Sequence, residues 1–209
     1  MYTLYYSPGT ASMVVHQILI ELGVPHELRR VDLDAGAQRD PEYLKLNPGG
    51  VVPTLLIDGQ PFVESSALAM ILAERHAGAG LSPTPESPQR PFYLQWMLHI
   101  ANTLQPAYRL WFYPHDVPGA GADAVKAAAR ARIEATWQRL EDFLTHDKPY
   151  LLGEAPTALD FYVLMLMRWS RNMPKPATAW PRLAAFGQRM KARPSWKKLY
   201  EREGLTEWA

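Results

Sequence analysis

A proline at the head of a short apolar run, with an acid and a serine at a helix start just downstream, constrains this chain most. The segment from Asn47 to Ser66 reads Asn-Pro-Gly-Gly-Val-Val-Pro-Thr-Leu-Leu-Ile-Asp-Gly-Gln-Pro-Phe-Val-Glu-Ser-Ser. Pro53 cannot donate a ladder hydrogen bond, so it belongs at the start or edge of the strand Thr54 to Ile57. Val52 before it is held extended, and a cis bond here is affordable only because the residue is proline. Extended backbone with free N–H and C=O groups pairs with a peptide by strand addition. Ser65 opens a helix predicted to run to His76. Its first N–H groups and positive dipole end suit a carboxylate, and Glu64 beside it suits an ammonium. Together these describe a site for a small zwitterionic peptide.

The flanking sequence supplies a scaffold. Tyr2 to Tyr6 is a β-prone run that stops at the turn signal Ser7-Pro8-Gly9. From Ser12, Val14, Val15, Ile18, Leu19 and Leu22 recur at helical spacing, and Gly23 closes the helix. Glu27 to Leu33 reads as a second strand. Gly78-Ala79-Gly80 ends the helix after Ser65, and the prolines at 83, 85, 88 and 91 then exclude any helix or strand interior. Beyond Pro91 everything reads helical: Phe92 to Phe112, Asp123 to Leu144, Thr157 to Asn172, Pro181 to Arg193, and a short piece after Pro194. The expected domains are residues 1–79, a proline-rich linker 80–91, and a helical domain 92–209. Thr157-x-x-Asp160 has capping-box form ahead of a buried helix, which makes Asp160 a structural residue rather than a site acid.

The order β-α-β, loop and short helix, β-β-α is a thioredoxin-like pattern, and the sequence resembles the soluble glutathione transferases. The residues that carry the resemblance are Leu4-Tyr5-Tyr6-Ser7-Pro8-Gly9, Asn47-Pro48-Gly49-Gly50, Val52-Pro53, Glu64-Ser65 and Gly153-Glu154-Ala155-Pro156-Thr157-Ala158-Leu159-Asp160. They span essentially the full chain in order, and the opening is most similar to the bacterial beta class. The resemblance implies an N-terminal thioredoxin-like domain followed by an all-helical C-terminal domain. It also implies a homodimer, and glutathione as co-substrate held by Val52, Pro53, Glu64 and Ser65. The implied activity is conjugation of glutathione to an apolar electrophile. Two other classes stay open: a glutathione-dependent isomerase of the maleylacetoacetate type, and a non-catalytic glutathione-fold binding module.

The chain contains no cysteine. That excludes disulfides, thiolate metal sites and a protein thiol nucleophile. The beta-class pattern places a cysteine after Ser-Pro-Gly-x, where this chain has Ala11. The nucleophile must then come from the ligand, whose free thiol has a pKa near about 8.5. Lowering that by about two units takes roughly 2.7 kcal/mol of preference for the anion, which an O–H donor and a helix N-terminus can supply. Ser12 is the first candidate donor, Thr10 the second and Tyr6 the third; Ser12 is alternatively only a cap of the first helix. Val51, Asp34-Ala35-Gly36, Thr103 and Gln105 depart from the beta pattern. The second substrate is expected between the first turn and the long helix, against Tyr108, Trp111 and Phe112, with Trp169 nearby.

Composition excludes other classes. The net charge is +1 on 209 residues with the basic residues spread out, so neither nucleic acid nor an anionic membrane surface is an expected partner. No apolar run approaches a membrane span of roughly 18 residues. No secretory signal is visible at the start, and the reading is a cytoplasmic protein without a metal.

Overall fold

Four short strands form one sheet: β1 (Tyr2–Tyr6), β2 (His26–Arg30), β3 (Thr54–Ile57) and β4 (Gln60–Phe62). Their order is β2-β1-β3-β4, with β2 parallel to β1 and the other two pairings antiparallel. The structure is a computed structural model and describes residues 1–145 and 148–208. Helix α1 (Met13–Glu21) buries Val14, Val15, Ile18 and Leu19 as its apolar spacing demands. It ends before Gly23, whose φ of 65° suits glycine. Strand β2 is shorter than the expected Glu27 to Leu33. Val31 N–H still reaches Tyr6 O at 2.8 Å, but the Asp32 carboxylate then accepts from Asp34 N–H and Ala35 N–H and turns the chain. Helix α2 (Pro41–Leu46) follows, and α3 (Ser65–Arg75) closes the β-β-α half.

Register places the site. Tyr5 pairs with Thr54 and Leu55 with Phe62. The turn after β1, the Val52-Pro53 step before β3 and the Glu64-Ser65 step after β4 therefore emerge at one end of the sheet. Residues distant in sequence meet there because antiparallel pairing brings strand ends together.

The chain divides into two compact units, one of Met1–Ser82 with the chain from Lys191 onward, the other of Pro83–Met190. This division groups the last helix with the first unit, whereas the sequence reading has a helical domain 92–209. What was expected as a short piece after Pro194 is a full helix, α9 (Pro194–Glu203), and it packs on α1 of the first unit. Trp196, Leu199 and Tyr200 are buried. Gln17 donates to Ser195 Oγ at 3.4 Å, and Arg193 pairs with Glu21.

The second unit is helical. One continuous run comprises α4 (Arg90–His99), a π-helical turn Ile100–Leu104, and α5 (Gln105–Phe112). Pro106 explains the π turn. It brings no N–H and its ring crowds the carbonyl four residues back, and the ladder widens so that Gln105 N–H donates to Ile100 O. Helices α6 (Ala122–Phe143), α7 (Ala158–Trp169) and α8 (Pro181–Lys191) follow, α8 reaching the boundary between units at its last residue. Among the described residues no helix is long and apolar enough to cross a membrane.

Asp160 caps α7 as the sequence pattern implies. It accepts Thr157 N–H at 2.7 Å, Thr157 O–H at 2.9 Å and Leu151 N–H at 2.9 Å. Burial pushes its carboxyl up to about 6 from an ordinary 3.8, against the pull of those hydrogen bonds. The native state thus holds this proton more tightly than the unfolded chain. The associated stabilisation is complete below the unfolded value and is lost as pH rises through the folded one, a change of about 3 kcal/mol. Urea unfolding of the wild type and Asp160→Asn across that window should show it: the wild type loses stability relative to the variant as pH rises, and parallel curves would refute the assignment.

Candidate functional site

The Val52-Pro53 step is built from behind. Val51 O accepts from Tyr43 Oη at 2.6 Å and from Asn47 Nδ2 at 2.8 Å. The Thr54 hydroxyl lies 2.9 Å from Tyr43 Oη and accepts from Asn47 Nδ2 at 3.2 Å. Asn47 Oδ1 accepts Gly49 N–H at 3.0 Å, which folds the Asn47–Gly50 loop onto the same point. Burial pushes the Tyr43 phenol up, so it stays a donor. The Val52 side chain is anchored with Val31 and Tyr43, and the Val52-Pro53 peptide is cis. Among the described residues neither the Val52 N–H nor its C=O has a hydrogen-bond partner. Fixed backbone with both polar groups free is the arrangement that strand addition requires.

Glu64 has φ 74° and ψ 108°, and its exposed carboxylate is unpaired. A non-glycine residue held at positive φ is sparse and costs about 1–3 kcal/mol, and such outliers cluster at ligand sites. The first intrahelical bond of α3 runs from Leu68 N–H to Glu64 O at 2.8 Å. The N–H groups of Ser65, Ser66 and Ala67 therefore open toward a ligand, beside a Ser65 hydroxyl that has no partner.

The first turn departs from expectation. Ser12 is fully buried, and its Oγ both donates to Ser7 O at 3.1 Å and accepts Ser7 N–H at 3.3 Å. Its side chain makes no capping hydrogen bond to α1. Ser12 stands at the N-cap position and its carbonyl accepts His16 N–H at 3.0 Å, while its hydroxyl staples the turn. Thr10 is only half-buried; its Oγ1 donates to Ser7 O at 2.7 Å and lies 2.9 Å from Ser12 Oγ. Two hydroxyl protons serve this network. Ser7 O accepts both, so Thr10 can turn its proton outward by giving up that bond while Ser12 keeps Ser7 O paired. Tyr6 is half-buried, its ring 5.6 Å from that of His16, and its hydroxyl carries no hydrogen bond.

The aromatic residues of the second unit divide. Tyr108 is fully buried and accepts Trp137 Nε1–H at 3.1 Å. Core burial corrects its expected place in a pocket wall. Phe112 is half-exposed, stacked on Tyr108 and edge-on to Trp169; Trp111 is partly exposed beside Lys126. Thr103 lies in the π turn, within 3.5 Å of His99 Nδ1, and Gln105 accepts the Tyr162 hydroxyl. Among the described residues no three His, Asp or Glu gather as a metal would require. Tyr43 and the buried Asn47 are the functional supports that side-chain chemistry missed. The signal for Asn47 was its place before Pro48-Gly49-Gly50, where an amide folds back onto loop backbone.

Comparison with known proteins follows the same outline. Residues 2–80 match the family model described as the glutathione S-transferase N-terminal domain, and residues 101–203 match its C-terminal domain. The chain is 30% identical to glutathione S-transferase GstA of Escherichia coli O157:H7, covering 97% of this chain and 98% of that protein. A glutathione transferase homologue from Sulfitobacter, solved with bound glutathione, superposes with a TM-score of 0.88 at 29% identity over 99% of each chain. The beta-class glutathione S-transferase of Sphingomonas chungbukensis gives 0.84 at 27% identity, covering 98% of this chain and 100% of that one.

The buried amide is testable by itself. Asn47→Ala leaves Val51 O with one donor and Gly49 N–H with none, and should lower stability by about 1–3 kcal/mol in denaturant unfolding. A change within error would show that Tyr43 alone fixes the step.

Proposed function

The chain belongs to the glutathione S-transferase family, and on that premise we propose that it holds glutathione at the free backbone of Val52 and activates the thiol with Thr10. The γ-glutamyl end lies at Glu64 and Ser65: the carboxylate takes the N–H groups at the start of α3 and the Ser65 hydroxyl, and the ammonium faces Glu64. The cysteinyl backbone pairs with Val52, and cis-Pro53 leads on into β3. The observation that carries this reading is the convergence at one sheet end of a free backbone pair, an unpaired helix start and an unpaired carboxylate.

The thiol sits at the turn. With Ser12 holding Ser7 O, the Thr10 proton donates to the sulfur and stabilises the thiolate. The thiol proton leaves to solvent. The thiolate then attacks an electrophilic carbon, an S–C bond forms, and the leaving group departs with its electron pair. The second substrate is apolar. Ser12 supports the donor rather than replacing it. The protein is a two-fold homodimer, whose contact draws on exposed Phe62 and Val63 and on exposed Phe92 and Leu98. A cytoplasmic location accords with a substrate that must keep its thiol reduced.

Calorimetry tests the binding half. Each charge-assisted contact is worth about 1.5–3 kcal/mol, so the double variant Glu64→Ala, Ser65→Ala should lose measurable affinity for glutathione; an unchanged dissociation constant refutes the site. Thiolate absorbance of bound glutathione against pH tests the chemistry. Thr10→Val should raise the bound-thiol pKa and reduce turnover of an activated aryl halide by about 2–4 kcal/mol in barrier if the site is dry, with affinity nearly intact. A bound-thiol pKa in Thr10→Val as low as in the wild type refutes the donor assignment. Sedimentation decides assembly: a single species at the monomer mass rules the dimer out.

A further inference from the structure

We infer that Glu203, on the last helix, is a positioning residue for the thiol-activating turn, held in place by His16; this rests on the reading above. The Glu203 side chain is fully buried in the first unit. Its Oε2 accepts Gly9 N–H at 2.9 Å, and its Oε1 lies 2.8 Å from His16 Nδ1. Gly9 is the residue before Thr10 and holds φ 74°. Its amide direction sets where the threonine hydroxyl sits.

The protons assign themselves. A carboxylate only accepts, so an ionised Glu203 requires the proton of His16 to be on Nδ1. His16 Nε2 is buried without a hydrogen-bond partner, and the centre of its ring lies 5.6 Å from that of Tyr6 and 5.9 Å from that of His26. A neutral ring with Nδ1–H leaves only a lone pair there, whereas a protonated ring would strand an N–H. Neutral His16 thus donates one bond and Glu203 keeps its charge, so a charge-assisted bond reaches Gly9. The helix that brings the carboxylate is itself locked: Gln17 meets Ser195, Glu21 meets Arg193, and Trp196 is buried. Neither a cap nor a fold-closing role calls for a buried carboxylate at this spot; an apolar side chain would close α9 on α1 as well. The two bonds it makes give it its purpose, and one of them is to the turn.

Two variants separate positioning from packing. Glu203→Met keeps the volume and removes both acceptors. Glu203→Gln keeps an oxygen for Gly9 N–H, while its NH2 donates to Nδ1 of the other His16 tautomer, whose buried Nε2–H is then left without a partner. With an activated aryl halide, Glu203→Met should lower kcat about tenfold. It should also shift the alkaline rise of kcat upward, with the glutathione dissociation constant unchanged. Glu203→Gln should recover most of the loss. A Glu203→Met variant that melts earlier but keeps the wild-type kcat and pH profile overturns the inference, as does a Glu203→Gln no better than Glu203→Met. If Glu203→Met does not fold, exchange of the Gly9 amide in the wild type and Glu203→Gln decides: protection in both supports it, and fast exchange in the wild type overturns it. A wild type that binds no glutathione refutes the underlying reading instead, before any variant is made.

Discussion

One backbone carbonyl fixes the ligand end of this molecule. Val51 O receives the Tyr43 phenol and the Asn47 amide from behind, and the same two side chains reach Thr54 on the other side of Pro53. The residue between, Val52, is thereby held by neighbours on both flanks while its own N–H and C=O stay unused. Unpaired backbone inside a fold is ordinarily unfavourable. Here the rigidity comes from the adjacent peptides. A ligand that pairs with the free groups of Val52 meets a surface already ordered, so little conformational entropy is lost on binding.

What the sequence revealed and what it hid divide along a physical line. The strand start after Pro53 and the helix start at Ser65 were legible because they are local features. A proline restricts its own bond and its predecessor, and a serine after a strand opens a helix, whatever lies elsewhere. The four-stranded order was legible for the same reason, as a sum of short periodic runs. Ser12 was ranked ahead of Thr10, but the order depends on which hydroxyl faces inward from a turn of six residues, and composition is blind to that. Tyr108 looked like pocket wall because an aromatic stripe has the same spacing in a core as at a surface. The π turn was hidden because Pro106 signals a disturbed ladder but does not say how it is resolved. Asp160 was legible as a cap, since capping is a relation between residues three apart.

Contacts between residues distant in sequence were beyond reach. His16 and Glu203 carry no motif, and each alone is an ordinary polar residue on a helix. Their meaning exists only after α9 has folded back onto α1. The different grouping of the last helix has the same origin. A helical pattern following helical patterns reads as more of the same domain, and nothing local says that the last helix leaves its neighbours for the sheet.

That return of α9 sets the order of synthesis against the order of folding. The strands and α1 leave the ribosome first, yet the helix that covers α1 and supplies a bond to Gly9 is made only after the whole second unit. During translation the early unit waits with the apolar face of α1 incompletely covered, the condition in which nascent chains are prone to association. A fragment of residues 1–82 is for the same reason no miniature of the protein: it holds the strands, the Val52 step and the start of α3, but lacks the carboxylate that orients its own first turn.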